Sequence, residues 1–381
     1  MKLRNLVRTR GGLGVSGGSN MTETDGNNGH EKPVAEVQLG GNLAGRSLLG
    51  QVAVMAAWPL LEQVLAFFVG LTDLLIAGRM AVGPEHAPGW MRAAVRDGGA
   101  EVVDVADAEA ILWADPDDPA GLAAVLAEHG PHLRWIQLPW AGIEPYVEVL
   151  DRDRTWTCGK GVYAEPVAEL ALTLTLAGLR GIPEYLRSAP WSERGQVGTN
   201  LRGADVVVIG AGGITESFAR LLAPFDAHLT VVRRRPDPFP GAQRTIGLGQ
   251  LDDVLPTADA VVLALALTPS TVGLIDARRL ALLPTHAWLV NVARGAHVVT
   301  DDLVDALRLG RLGGAALDVT DPEPLPADHP LWTLPNCVLT PHVGNTPAMA
   351  RPLLSARITA NVRRWLDGDE LIGLVDVDAG Y

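Results

Sequence analysis

The run Asp205-Val-Val-Val-Ile209 ends on Gly210-Ala-Gly212-Gly213-Ile214-Thr215, and a helical stretch over Glu216–Leu222 follows. Unbroken apolar residues of this length, rich in Val and Ile, fit a strand buried on both faces. Parallel sheets covered by helices provide that environment. The glycines define what the turn can approach. The first permits a tight reversal and the second lets backbone close on a pyrophosphate, which the N-terminus of the following helix receives. The pattern's third position is Thr215, expected to loosen the packing of helix on strand slightly without blocking a phosphate. A Gly-rich turn alone is a weak signal. Its place between an apolar strand and a helix makes Gly210, Gly212, Gly213 and Ile214 candidates for dinucleotide binding.

The rest of the chain repeats this alternation. Met80-Ala-Val-Gly-Pro, Glu101–Val105, Ala110–Trp113 and Leu133–Gln137 read as strands, with helices over Trp90–Asp97 and Pro119–Glu128. Pro166–Arg180 is a long apolar helix. A polar segment, Ser188–Gly203, leads to the Gly turn. Beyond it come His228–Val232, Ala260–Leu265, Ala287–Asn291, Gly314–Asp318 and Cys337–Thr340, then a helix over Pro347–Leu366 and a short strand or extended tail over Leu371–Val377. Strands alternating with helices imply βαβ units, and 381 residues suggest two domains. The expected fold class is α/β, with two doubly wound parallel-sheet domains.

Composition excludes some roles. A formal charge of −13 disfavours a nucleic-acid-binding surface, so any anionic substrate needs locally placed Arg or Lys. Cys158 and Cys337 are the only cysteines, and their spacing fits no metal site. Two thiols in a chain of this length point to a reducing compartment, the cytoplasm. Residues 1–46, rich in Gly, Asn and Ser, read as a disordered tail. Residues 47–78 are strongly apolar, with Glu62 and Asp73 as their only charges, and are long enough to span a membrane. Trp58-Pro-Leu-Leu-Glu-Gln63, Phe68-Val-Gly-Leu-Thr-Asp73 and Ala77-Gly-Arg-Met80 give residues 44–80 a resemblance to the first transmembrane helix of the multidrug and toxin extrusion transporters. One helix cannot build a transporter cavity. The favoured expectation is an appendage over residues 47–79, extraneous to the rest; a membrane anchor is the alternative.

Three later segments carry chemistry: Asn291-Val-Ala-Arg294-Gly295, Asp318-Val-Thr-Asp-Pro-Glu323-Pro324 and Thr340-Pro-His342-Val-Gly344. They supply a guanidinium, a carboxylate and an imidazole. Reducing a 2-oxo acid puts a hydride on C2 and a proton on its oxygen. Arg294 can hold the carboxylate and polarise the carbonyl. His342 is suited to deliver the proton, since imidazole as a group changes charge near working pH, or to remove it in the oxidation direction. Glu323 can pair with the other ring nitrogen, which favours the imidazolium. On the cofactor side, an acid is expected at the end of the strand after the Gly turn if the ribose 2′-hydroxyl is read. Here that strand ends Val232-Arg233-Arg234-Arg235-Pro236. Arginines suit a 2′-phosphate, so NADP(H) is favoured, with NAD(H) as the alternative and a solvated basic loop as the plain reading.

Val167-Ala-Glu169, Leu267-Thr-Pro-Ser-Thr271, the three segments above and His329-Pro-Leu-Trp332 occur in an order and spacing that resemble the D-isomer-specific 2-hydroxyacid dehydrogenases over residues 80–381. The resemblance implies a flavodoxin-like substrate domain, residues 80–183 and 345–381, with an inserted Rossmann cofactor domain, 184–344. It implies an NAD(P)-dependent oxidoreductase acting on a small 2-oxo or 2-hydroxy acid, a homodimer, and the same roles for Arg294, Glu323 and His342. It also implies cofactor contacts at Thr268, Pro269, Ala293 and Asp318, the last to the nicotinamide carboxamide. In Trp140-Ala141-Gly142-Ile143 it implies backbone amides that receive the substrate carboxylate. Trp140, Lys160 and Tyr163 are candidates to shape the pocket. Ala266 stands where the family has Pro, which puts local rigidity in question. The Arg-rich strand points to a glyoxylate/hydroxypyruvate reductase; a 3-phosphoglycerate dehydrogenase is a weaker expectation, since the chain ends at Tyr381 without a regulatory domain. A membrane-anchored dehydrogenase and a non-catalytic nucleotide-binding module are the competing classes.

Overall fold

The computed structural model describes residues 78–187 and 196–380. The expected disordered tail, the transporter-like stretch up to residue 77 and the first half of the Ser188–Gly203 segment lie outside the described residues. Among those described, no helix is long and apolar enough to cross a membrane.

Two parallel sheets organise the chain. The first contains β1 (Arg79–Gly83), β2 (Glu101–Val102), β3 (Ala110–Trp113), β4 (Trp135–Gln137) and β5 (Thr155–Thr157), in the order β2-β1-β3-β4-β5. This is the flavodoxin-like winding. The central β3 is buried along its whole length, as its all-apolar sequence requires. Helix α1 (Gly89–Asp97) covers one face through Met91, Ala94 and Val95. Helix α2 (Pro119–His129) starts where Pro119 fits the first turn and the Asp118 carboxylate accepts the Gly121 amide at 2.8 Å.

Helix α3 (Ala164–Leu179) and short α4 (Ile182–Arg187) lead to the second sheet. It contains β6 (Asp205–Ile209), β7 (His228–Arg233), β8 (Arg244–Gly247), β9 (Ala260–Leu263), β10 (Trp288–Asn291), β11 (Gly314–Leu317) and β12 (Cys337–Leu339). The order is β12-β11-β10-β9-β6-β7-β8 and every pairing is parallel. The strand order reverses between β6 and β9, the place where doubly wound sheets bind ligands. Helices α5 (Gly213–Leu222), α6 (Leu251–Val254), α7 (Ala277–Leu280) and α8 (Thr300–Arg308) accompany the strands. The last helix, α9 (Pro347–Asp367), returns to the first sheet: Leu354, Ile358 and Val362 share a core with Met80, Ala94 and Val95.

Sequence reading and structure differ at the margins. β5 and β8 were not expected. β8 is an edge strand with only Ile246 buried, so it lacks the apolar run that marks a central strand. The expected strand Glu101–Val105 stops at Val102, where the chain turns into a 3-10 turn over Val105–Asp107. Leu371–Val377 makes only an antiparallel bridge, Leu374 to Thr157.

Candidate active site

The Gly turn lies at the carboxyl end of β6. Gly210 has φ 120°, and a Cβ there would collide with the Ala264 carbonyl at the end of β9. Only glycine satisfies both conditions. Gly212 is the residue before α5, and a Cβ on it would meet nothing within 4 Å. The amides of Gly213, Ile214 and Thr215 donate to no acceptor among the described residues. These orphan donors and the dipole of α5 suit an anionic pyrophosphate, so the turn fits the dinucleotide that its sequence implies. Thr215 does not loosen the helix as expected. It is fully buried, and its hydroxyl donates to the Gly210 carbonyl at 3.1 Å, tying helix to turn.

Across the switch point, Thr268 and Pro269 lie in a loop after β9. The Thr271 hydroxyl accepts the Thr268 amide at 2.8 Å and lies 3.0 Å from the Ala266 carbonyl, to which it can donate. Fully buried His297 sets its Nδ1 3.0 Å from the Thr271 carbonyl and its Nε2 3.3 Å from the Leu265 carbonyl. A neutral imidazole donates to only one of these two carbonyls, and that bond ties the ring to the loop that carries Ala266. Burial lowers the His297 pKa below the ordinary imidazole value, against the pull of both carbonyls. Arg233 ends β7, with Arg234 exposed immediately after it.

The three chemical segments follow β10, β11 and β12, which are adjacent and in parallel register. After β10, the buried Asn291 side chain accepts the Ala293 amide at 3.0 Å and donates to the Arg294 carbonyl at 2.9 Å. That clamp turns the chain so that Ala293 stays buried while Arg294 projects outward. After β11, buried Asp318 organises the next segment. Its carboxylate accepts the Thr340 hydroxyl at 2.6 Å and the amides of Val343 and Gly344 at 2.9 Å each. Its carbonyl accepts the His342 amide at 2.8 Å. His342 is thereby held at φ 52°, a left-handed conformation uncommon outside glycine. Asp318, expected to face a carboxamide, is first the clamp of the His342 loop.

His342 Nδ1 lies 2.6 Å from Glu323 Oε1. An ionised carboxylate only accepts, so Nδ1 carries the hydrogen and Nε2 is the nitrogen left to exchange a proton. Both side chains are about half exposed, within reach of a ligand.

From the first sheet, the loop after β4 brings Trp140, Ala141 and Gly142. Two carbonyls of this loop are engaged: the Tyr163 hydroxyl donates to Pro139 at 2.8 Å and the Gly159 amide to Trp140 at 2.7 Å. The amides of Ala141 and Gly142 have no acceptor among the described residues. A Cβ on Gly142 would collide with Arg294 Nη2 and lie 2.6 Å from Glu144 Oε2. Gly142 and Arg294 are therefore in close contact, although they come from different sheets. Lys160 places its backbone carbonyl 3.0 Å from Arg357 Nη1, which donates to it. Sequence reasoning passed over Glu144, whose Oε1 accepts Arg294 Nε at 3.0 Å. It also missed His297 and Thr271. Thr271 closes the Leu267–Thr271 segment and His297 follows Arg294-Gly295, but neither pattern shows which carbonyls these side chains reach.

A doubly wound sheet with a dinucleotide turn, a guanidinium and a His–carboxylate pair at its carboxyl end defines an NAD(P)-dependent oxidoreductase. Residues 171–344 match the family described as D-isomer specific 2-hydroxyacid dehydrogenase, NAD binding domain. The chain is 30% identical over 306 residues to the human glyoxylate reductase/hydroxypyruvate reductase, covering 72% of this chain and 93% of that one. A D-isomer specific 2-hydroxyacid dehydrogenase from Xanthobacter autotrophicus Py2, solved with NADPH and MES, superposes with TM-score 0.70 at 28% identity over 80% of this chain and all of that one. An NADPH-dependent glyoxylate/hydroxypyruvate reductase from Sinorhizobium meliloti, solved with NADP and sulfate, gives TM-score 0.66 at 25% identity, covering 80% and 100%. The chain belongs to the D-isomer specific 2-hydroxyacid dehydrogenase family.

Proposed function

We propose that the chain reduces a small 2-oxo acid of the glyoxylate and hydroxypyruvate class to the D-2-hydroxy acid, with NADPH as the preferred donor. The observation that carries this reading is the contact of Arg294 with Gly142, which sets a guanidinium beside two backbone amides that have no acceptor among the described residues. These groups suit a carboxylate and the adjoining carbonyl oxygen. His342, through Nε2, gives the proton to that oxygen. Glu323 fixes the tautomer and stabilises the imidazolium. When bound, NADPH supplies the hydride that C2 receives. The amides of Gly213 and Ile214 would hold its pyrophosphate, Arg233 and Arg234 its 2′-phosphate, and Thr268, Pro269 and Ala293 would line its nicotinamide side. In the reverse direction neutral His342 takes the proton.

The reading assigns residues 80–183 and 345–381 to the substrate domain and 184–344 to the cofactor domain, in a cytoplasmic homodimer. An extraneous N-terminal appendage fits it better than a membrane anchor over residues 47–78. A panel of 2-oxo acids assayed in parallel with NADH and NADPH tests it. Expected is NADPH oxidation with glyoxylate or hydroxypyruvate that disappears in His342→Ala. An NADH preference would refute the assignment of Arg233 and Arg234. Turnover surviving in His342→Ala would refute the proton donor.

A further inference from the structure

Glu144 is a carboxylate in the site that the reaction does not use. It opens a 3-10 turn over Glu144–Tyr146 whose flanks are fixed. Ile143 and Tyr146 are buried, and the Tyr146 hydroxyl donates to the Asp115 carbonyl. Its carboxylate is thus presented from a rigid base in the first sheet's loops. It reaches Arg294, 150 residues away on the second sheet's side, at 3.0 Å. Arg294 Nη1 donates to the Ala293 carbonyl at 2.8 Å, and Nη2 lies against Gly142. Each nitrogen of the guanidinium therefore has a defined neighbour. Glu144 takes the Nε edge, while the Nη1–Nη2 edge keeps hydrogens that match a carboxylate or a carboxylate–ketone pair.

We propose that Glu144 is a positioning residue for Arg294: it holds the Nε edge so that the opposite edge of the guanidinium receives the oxo acid. This rests on the substrate reading given above. An ion pair this exposed adds little to fold stability, so its effect belongs in ligand binding. Without the carboxylate, the guanidinium gains rotational freedom that each substrate molecule must remove. A carboxylate that merely competed with the substrate would act in the opposite direction, since removing it would strengthen binding.

The test uses Glu144→Ala, Glu144→Gln, Arg294→Lys and the double variant Glu144→Ala/Arg294→Lys in the full chain. Glu144→Ala should raise the KM for the oxo acid by about tenfold, with the KM for NADPH and the melting temperature unchanged. Glu144→Gln should recover most of the loss, because its carbonyl oxygen still accepts from Nε. In the Arg294→Lys background, which lacks Nε, removing Glu144 should cost about twofold or less. An oxo-acid KM that stays level or falls in Glu144→Ala overturns the proposal, as do losses that multiply in full in the double variant. Should the native chain reduce no oxo acid, the proposed function fails while this assignment is still read with oxamate. Oxamate binding to the NADPH-loaded protein about tenfold weaker in Glu144→Ala supports it. Equal binding, or none to the native chain, overturns it.

Discussion

Asp318→Asn isolates the clamp beneath His342. The native carboxylate accepts a hydroxyl and two amides at 2.6–2.9 Å while only 3% exposed. Asn is nearly the same shape, but one of its ends is a donor. Whichever way the amide turns, its NH2 faces a donor: the Gly344 amide on one side, or the Val343 amide and Thr340 hydroxyl on the other. A buried donor left without a partner costs about 1–3 kcal/mol. The charge-assisted character of the surviving bonds is lost as well. The loop is also under conformational load, because a non-glycine residue at φ 52° costs about 1–2 kcal/mol that the clamp must offset. These terms give about 2–5 kcal/mol favouring escape of His342 from its native backbone.

If that energy is spent on placing His342, kcat should fall roughly 30- to 5,000-fold. The assay is steady-state NADPH oxidation with saturating oxo acid, alongside the KM for NADPH. The clamp predicts a fall in kcat with the KM for NADPH within about twofold of native. It also predicts that Asp318→Asn adds little to His342→Ala, since both act through the same imidazole. A kcat within about threefold of native, together with a KM for NADPH raised about tenfold, would refute the reasoning. Asp318 would then act chiefly through the cofactor.

The glycine turn and the buried histidine give further tests. Gly210→Ala should cost about 2–4 kcal/mol, read as a lowered melting temperature, because φ 120° and the Ala264 carbonyl both exclude a Cβ. Gly212→Ala, whose Cβ meets nothing within 4 Å, should melt like the native chain while weakening NADPH binding; equal melting of both variants would contradict this use of the turn. His297 is held below the ordinary imidazole pKa by burial. The unfolded chain therefore takes up a proton that the folded chain refuses. Stability should fall as pH drops below about 6.5, and His297→Gln should flatten that decline. Parallel melting curves for the native chain and His297→Gln across this range would remove His297 as its source.

Much of this architecture is legible because it is local. Val206–Ile209, Ala260–Leu263 and Trp288–Val290 are apolar throughout and end where the chain must turn, so central strands declare themselves. Two of the edge strands, β5 and β8, do not. β5 is Thr-Trp-Thr and β8 is Arg-Thr-Ile-Gly, each too short and too polar to stand apart from a loop. What makes them strands is pairing with β4 and β7, contacts formed with residues about twenty and fourteen positions earlier in the chain.

The site divides along the same line. Asn291, Leu317 and Leu339 lie side by side at the ends of β10, β11 and β12. The segments that follow them are consecutive in sequence and neighbours in space. A parallel sheet with regular crossovers thus turns linear order into a row, and Arg294, Glu323 and His342 can be grouped without coordinates. Glu144 and Gly142 come from the loop after β4, in a different sheet, and reach Arg294 only through the way the two sheets' loops meet. No periodicity near residue 144 encodes that approach. The acid looks like any other at the start of a short turn, and only its 3.0 Å contact with the guanidinium separates it from a solvated one. Asp318 fails to show its role for a related reason. Its partners Thr340, Val343 and Gly344 sit in a quoted motif, yet nothing in the motif tells whether a neighbouring carboxylate faces a ligand or the loop itself.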